Sequence, residues 1–288
     1  MAPNIEILAT DPSAWGDRDS FIRILYTQEQ DGEKLRSVRY ARILPRVFPY
    51  EWFVDPFIEL QLPDFPSGDW CVVDIVKNKL TGHLKVVHAK EDNRILQPTP
   101  KEHIDAWHPI SVEYVELKKV SQIPCTNYMH RRNDMCWLVT HGELFPTPVL
   151  MKIAEFPFPT LLSRVKNETT VYKEIEGKGI GPKFLGHVTE NGRIIGFLME
   201  YLKDAVEAQT SDYKRCEEVL KRFHAQGWLH RDYNHTNFLV QPDGAAKLID
   251  FEYARRCSDK TTFARELGAL EREFLHHTKS VNIIFGRD

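Results

Sequence analysis

The stretch LHRDYNHTNFLVQPDGAAKLIDFEYA, residues 229–254, brings Asp232, Asn237 and Asp250 together around a tight turn. The runs NFLVQ and AAKLIDF alternate as β-strands do, and Pro242-Asp243-Gly244 between them is turn chemistry, so the stretch reads as a loop followed by a hairpin. Asp232 and Asn237 stand five apart on the loop, and Asp250 ends the return strand, so the three can converge on one point. Carboxylate and amide oxygens are hard ligands. Such a set suits Mg²⁺, which keeps several waters and is completed by phosphate oxygens. A carboxylate beside the metal pair can accept the proton of an attacking hydroxyl.

Outward from this stretch, Tyr213, Cys216, Leu220 and Phe223 form the apolar stripe of a helix that Thr210 or Ser211 can cap and Gly227 ends. Before it, KFLGHVTENGRIIGFLMEYL is a hairpin around Asn-Gly. Earlier still, PISVEYVELKKV, CWLVT and PVLMKIAEF read as three strands ahead of the first helix. On that helix Leu161, Val165, Glu168, Tyr172 and Ile175 share one face, which puts a carboxylate in an apolar stripe. A buried carboxylate costs several kcal/mol unless a cation meets it. Lys152, mid-strand in VLMKIAE, is the expected partner. After Asp250, Phe263, Leu267, Leu270 and Phe274 set an amphipathic tail helix.

Residues 1–108 differ in texture. Short β-like runs (SFIRILY, WCVVDIV, GHLKVVHA) alternate with turns, and prolines at 45, 49, 56, 63 and 66 preclude a long helix. The aromatics Phe48, Tyr50, Trp52, Phe53, Phe57, Phe65 and Trp70 either line a groove or fill a core that has no helices to cover it. LQPTPKEH, 96–103, is the expected boundary. The net charge of −3 gives no pull toward nucleic acid, and Arg131-Arg132 reads as solvated surface. Five cysteines (Cys71, Cys125, Cys136, Cys216, Cys257), widely spaced and without a C-x-x-C pair, argue against a disulfide framework or a thiolate zinc site. No signal-like or membrane-spanning apolar run is present, so the expectation is a cytoplasmic protein with no membrane or nucleic-acid partner.

The order VLMK, helix glutamate, FLMEYL, HRDYNHTN and IDFE resembles the protein-kinase-like superfamily over 109–288. The short tail and IDFEYA resemble its compact aminoglycoside phosphotransferase and choline kinase branch, including fungal protein kinase-like chains with a similar N-terminal extension. The resemblance implies an α+β, bilobal kinase-like fold with a reduced C-lobe after a β-rich unit. The segments are 1–108 (accessory), 109–202 (N-lobe and hinge) and 203–288 (reduced C-lobe). It implies ATP and Mg²⁺ as cofactors, with Lys152 holding the α- and β-phosphates and Glu168 orienting it. Met199 would back the pocket, with Glu200 and Leu202 offering backbone groups to adenine. Asp232 would be the base, Asn237 and Asp250 the metal ligands, and His230 and Arg231 braces of the loop. His235 touches substrate or bonds locally. The acceptor would be a hydroxyl, on a small molecule, and a protein partner could dock on 1–108.

Three departures stand out. No G-x-G-x-x-G is present, so Ser121, Thr126 and Asn127 would have to contact phosphate instead. Asn234 replaces the lysine that protein kinases place two residues after the base, and no A-P-E motif lies in the 38 residues after Asp250, which disfavours a protein Ser/Thr kinase. The missing glycine loop keeps a pseudokinase, a nucleotide-binding or interaction module without transfer, as the alternative.

Overall fold

The computed structural model describes residues 4–13, 18–30, 32–45, 47, 62–90, 103–123 and 134–285. Strands β1 (Asn4–Asp11), β2 (Ser20–Gln30), β3 (Glu33–Ile43), β4 (Val72–Lys77) and β5 (Leu84–Lys90) form a five-stranded sheet in that order. All neighbours are antiparallel except β3 and β4. Side chains alternate between its faces. Phe21, Val38, Tyr40 and Val72 join the main core, while Ile22, Ile24, Ala41, Ile43, Val73 and Ile75 build a second core with Phe65 and Trp70. Those two rings stack at 5.8 Å and fill this core rather than lining a groove. Phe48, Tyr50, Trp52, Phe53 and Phe57, Cys125 and Arg131-Arg132, and residues 96–102 of the expected boundary lie outside the described residues.

The second sheet contains β6 (Ser111–Glu113), β7 (Lys118–Ile123), β8 (Asp134–His141), β9 (Phe145–Ala154), β10 (Phe184–Glu190) and β11 (Arg193–Met199), in the order β6-β10-β11-β9-β8-β7. The single strand expected over PISVEYVELKKV is thus split. A 3-10 turn at Tyr114–Glu116 sends β6 and β7 to opposite edges, because Tyr114 is buried there and the Glu113 carboxylate accepts the N–H groups of Asn191 and Gly192. Four strands of this sheet therefore precede the first helix, not three. Asn191 and Gly192 take φ of 50° and 77°, the left-handed pair that a two-residue hairpin needs.

Helix α1 (Pro159–Ile175) starts on proline at its first turn and buries Leu161, Val165, Glu168, Tyr172 and Ile175. After it come β12 (Val206–Glu207), α2 (Tyr213–His224), β13 (Trp228–Leu229), β14 (Phe238–Val240), β15 (Ala246–Leu248), β16 (Arg255–Arg256) and α3 (Lys260–Phe285). Thr210 and Ser211 do not cap α2 with their side chains: they sit in a 3-10 turn closed by the Asp212 carboxylate, which accepts the Gln209 N–H at 2.9 Å. β12, β14 and β15 form one small sheet, and β13 with β16 another. The class is α+β, mostly strand with three helices among the described residues. None of these helices is long and apolar enough to cross a membrane. The cysteines Cys71, Cys136, Cys216 and Cys257 are free thiols.

The two large sheets meet at a buried ionic knot. Glu190 accepts from Arg23 Nη2 at 2.6 Å and Nε at 3.0 Å, from the Tyr40 hydroxyl at 2.5 Å and from Arg193 Nη2 at 2.6 Å. Asn191 Nδ2 adds a bond to the Val38 carbonyl at 2.8 Å. Burial opposes the Glu190 charge, but Arg23, Arg193 and the Tyr40 hydroxyl prevail and hold the carboxyl below its ordinary value.

Candidate active site

A cleft of ≈ 510 Å³ runs between the second sheet and the loops after β11 and α2. Ile123, Leu138, Leu150, Met199, Leu202 and Ile249 supply apolar walls, and Lys152, Glu168, Asn237 and Asp250 are its polar end. This is the usual make-up of a small-molecule site, apolar with a few convergent polar groups.

Lys152 is fixed mid-strand on β9, between Cys136 on β8 and Phe197 on β11. Its Nζ lies 2.8 Å from Glu168 Oε2 and 2.8 Å from Asp250 Oδ1. The expected Lys152–Glu168 pair therefore forms, and Asp250 joins it. Burial would lower the Lys152 pKa, but Asp250 and Glu168 outweigh it and hold the ammonium charged. Burial pushes the Glu168 carboxyl up, against the pull of Lys152. Its other oxygen, Oε1, accepts the Phe251 N–H at 3.3 Å, so a nearly fully buried carboxylate has partners on both sides.

Asp250 holds its carboxylate in place with a left-handed backbone, φ 64° and ψ 67°, an uncommon state for a residue with a side chain. A 3-10 turn at Phe251–Tyr253 follows. Across it, Asn167 Nδ2 of α1 lies within hydrogen-bond range of three carbonyls: Phe251 at 3.1 Å, Glu252 at 3.0 Å and Ala254 at 2.8 Å.

Asn237 is buried, and its Nδ2 donates to the Asp232 carbonyl at 2.8 Å, which leaves Oδ1 as the acceptor oxygen. The Asp232 carboxylate accepts from Asn234 Nδ2 at 2.5 Å and is outside the set that lines the cleft. The residue in the lysine position of protein kinases thus bonds Asp232 directly. His230 is fully buried with Nε2 2.9 Å from the Ile249 carbonyl, a brace between loop and hairpin. Arg231 takes φ 68°. His235 Nδ1 lies 3.3 Å from Glu273 of α3, 38 residues on, a long-range contact rather than a local one. Met199, Glu200 and Leu202 all line the cleft, but the Glu200 N–H already donates to the Lys183 carbonyl at 2.9 Å. Ser121 lines the cleft too; Thr126 and Asn127 lie outside the described residues.

Sequence reasoning missed Glu266. From α3, its Oε1 accepts the Arg231 N–H at 2.6 Å, and its Oε2 accepts the His230 N–H at 3.1 Å and lies 2.6 Å from His224 Nε2. It anchors the backbone of the loop that carries Asp232. The signal was available: Glu266 lies in the tail helix's apolar stripe, one residue before Leu267, as Glu168 lies in that of α1. Asn167, a poor helix former mid-helix, was the other overlooked signal.

The donor set fits Mg²⁺. An Asn237 amide whose nitrogen is engaged presents oxygen, Asp250 adds a carboxylate, and the Glu168, Asp250 and Glu252 carboxylates outnumber the cations Lys152 and Arg164 beside them.

With this fold and site the chain is an atypical kinase, a phosphotransferase that acts on hydroxyl groups. A family model described as Lipopolysaccharide kinase (Kdo/WaaP) family matches residues 192–284. The matched span holds Asp232, Asn237, Asp250 and Glu266, and it begins after Lys152 and Glu168. A comparison with curated proteins gave no match.

Proposed function

We propose that the chain transfers the γ-phosphate of ATP, with Mg²⁺, to a hydroxyl of a sugar or sugar-like small molecule. The observation that carries this reading is Lys152 held 2.8 Å from both Glu168 and Asp250, in the same cleft as Asn237. The second sheet with α1 would be the nucleotide-gripping lobe of a bilobal kinase-like fold, and 203–288 its reduced second lobe. The name of the matching family supplies the sugar-bearing class of acceptor.

In this reading the adenine lies between the apolar walls near Met199, and the Glu200 carbonyl and Leu202 backbone address its edge. Lys152, aimed by Glu168, holds the phosphates. Asp250 and Asn237 would hold Mg²⁺, which when bound neutralises charge on the phosphate oxygens. Asp232, with its loop pinned by Glu266 and its carboxylate bonded by Asn234, aligns the acceptor hydroxyl and takes its proton.

Two experiments test it. ATP should raise the melting temperature more with Mg²⁺ than with EDTA, and wild-type protein should label at least one member of a panel of monosaccharides, glycolipids and other hydroxyl compounds from radiolabelled ATP. Equal shifts in both conditions, repeated in Asp250→Asn, with no labelled product, would point to a pseudokinase.

A further inference from the structure

We propose that Asn167 is a positioning residue for Asp250: it clamps the turn after that aspartate to α1, so that Lys152, Glu168 and Asp250 stay assembled. The inference rests on the proposed role of Asp250 as a metal ligand.

An asparagine amide has two N–H bonds, yet Asn167 Nδ2 is placed against three carbonyls, those of Phe251, Glu252 and Ala254. The Glu252 and Ala254 carbonyls lie at the end of the 3-10 turn, where a helical turn leaves acceptors without partners, and the Phe251 carbonyl at its start also accepts the Ala254 N–H. The adjacent Glu168 fixes the start of the same turn through the Phe251 N–H. On the same face of α1, Tyr172 meets the Phe251 ring edge-on at 5.2 Å, and Arg164 lies 3.7 Å from the Glu252 carboxylate. One helix face thus grips both ends of the segment that begins at Asp250. Asp250 itself is in a left-handed backbone state that a side-chain-bearing residue keeps only when its surroundings enforce it. Without the Asn167 clamp, the Asp250 carboxylate would keep Lys152 but lose the fixed turn that sets its backbone.

Groups that orient a ligand from behind typically change metal affinity about 10- to 100-fold when removed. Asn167→Ala should therefore raise the Mg²⁺ concentration needed for half-maximal ATP binding, read by calorimetry, about tenfold or more, and leave ATP affinity in EDTA within about twofold. Hydrogen exchange over 250–256 should quicken, while exchange in β9 and β11 stays at the wild-type rate. Asn167→Gln, which keeps the amide on a longer arm, should recover part of the Mg²⁺ response and serves if the alanine variant does not fold. Folded Ala or Gln variants with wild-type Mg²⁺ response and wild-type exchange at 250–256 would overturn the clamp. So would a loss of stability that slows transfer and leaves the Mg²⁺ response unmoved, since that is a packing role alone. Wild-type protein whose ATP binding is indifferent to Mg²⁺ would overturn the metal reading, and the clamp's role with it.

Discussion

Replacing Glu190 with glutamine tests whether the N-terminal sheet is part of the folding unit of the kinase-like region or an appendage. Four donors from Arg23, Tyr40 and Arg193 converge on this carboxylate within 2.5–3.0 Å, and Arg23 is 1% exposed. Glutamine keeps the shape and removes the charge, so the buried Arg23 guanidinium loses its counter-charge while its cation–π contact to Tyr114, 4.1 Å to the ring centre, remains. Removing one partner of a buried pair costs about 3–5 kcal/mol. At roughly 2–4 °C per kcal/mol for a chain of this size, the melting temperature should fall by about 10 °C. Unfolding should remain a single transition by near-UV and far-UV circular dichroism, because the two sheets share the core that holds Phe21, Tyr40, Val188 and Phe197. None of the four knot residues lines the cleft, so ATP affinity below the transition should stay within about twofold. A melting temperature within about 2 °C of wild type would refute the assigned weight of the knot.

Glu168→Gln should lower kcat/KM about tenfold or more, because Lys152 loses one of its two carboxylate partners; equal turnover would remove Glu168 from the site. Gly196→Ala should reduce the yield of soluble protein or lower the melting temperature by several degrees, since its Cβ would collide with the Lys152 carbonyl and Ile153 Cα across the β9–β11 pair. The stability that Glu190 and Glu266 contribute should fall on acidification. Glu190 and Glu266 both have folded pKa values below their ordinary ones, burial being outweighed by Arg23 and Arg193 in one case and by His224 and the loop N–H groups in the other. Their contribution is full above the unfolded carboxylate value of about 4.3 and is lost as pH drops through the depressed folded values, so urea melts should show wild type losing more stability below that pH than Glu190→Gln.

The site was legible because its chemistry obeys local rules. Glu168 betrayed itself as a charge in a 3.6-residue apolar stripe, Lys152 as a charge inside an apolar strand, and the loop and hairpin of 229–254 by turn residues and alternation. Pairing Lys152 with Glu168 needed only the rule that buried charges meet partners. What stayed hidden depends on tertiary contact. Nothing local marks the break in PISVEYVELKKV, because Glu113 is drawn to the backbone of a hairpin 78 residues away. Arg23 in β2 looks like ordinary alternation until Glu190, 167 residues on, is beside it. Glu266 is the exception, since the stripe rule that marks Glu168 applies to it equally and needs no tertiary contact.

Asp232 carries the central claim, that this chain moves a phosphoryl group, and the most direct measurement is ADP release by wild type and Asp232→Asn, with Mg·ATP affinity measured on the same samples. Asp232 lies outside the cleft lining, so the variant should bind Mg·ATP within a few-fold of wild type. Its ADP release and its transfer to any acceptor found should fall about 10²-fold or more, the range expected for losing a positioned base. Equal, detectable ADP release from the two proteins would contradict the assignment of Asp232 as the base, and a wild type that releases no ADP and labels no acceptor would contradict phosphotransfer itself.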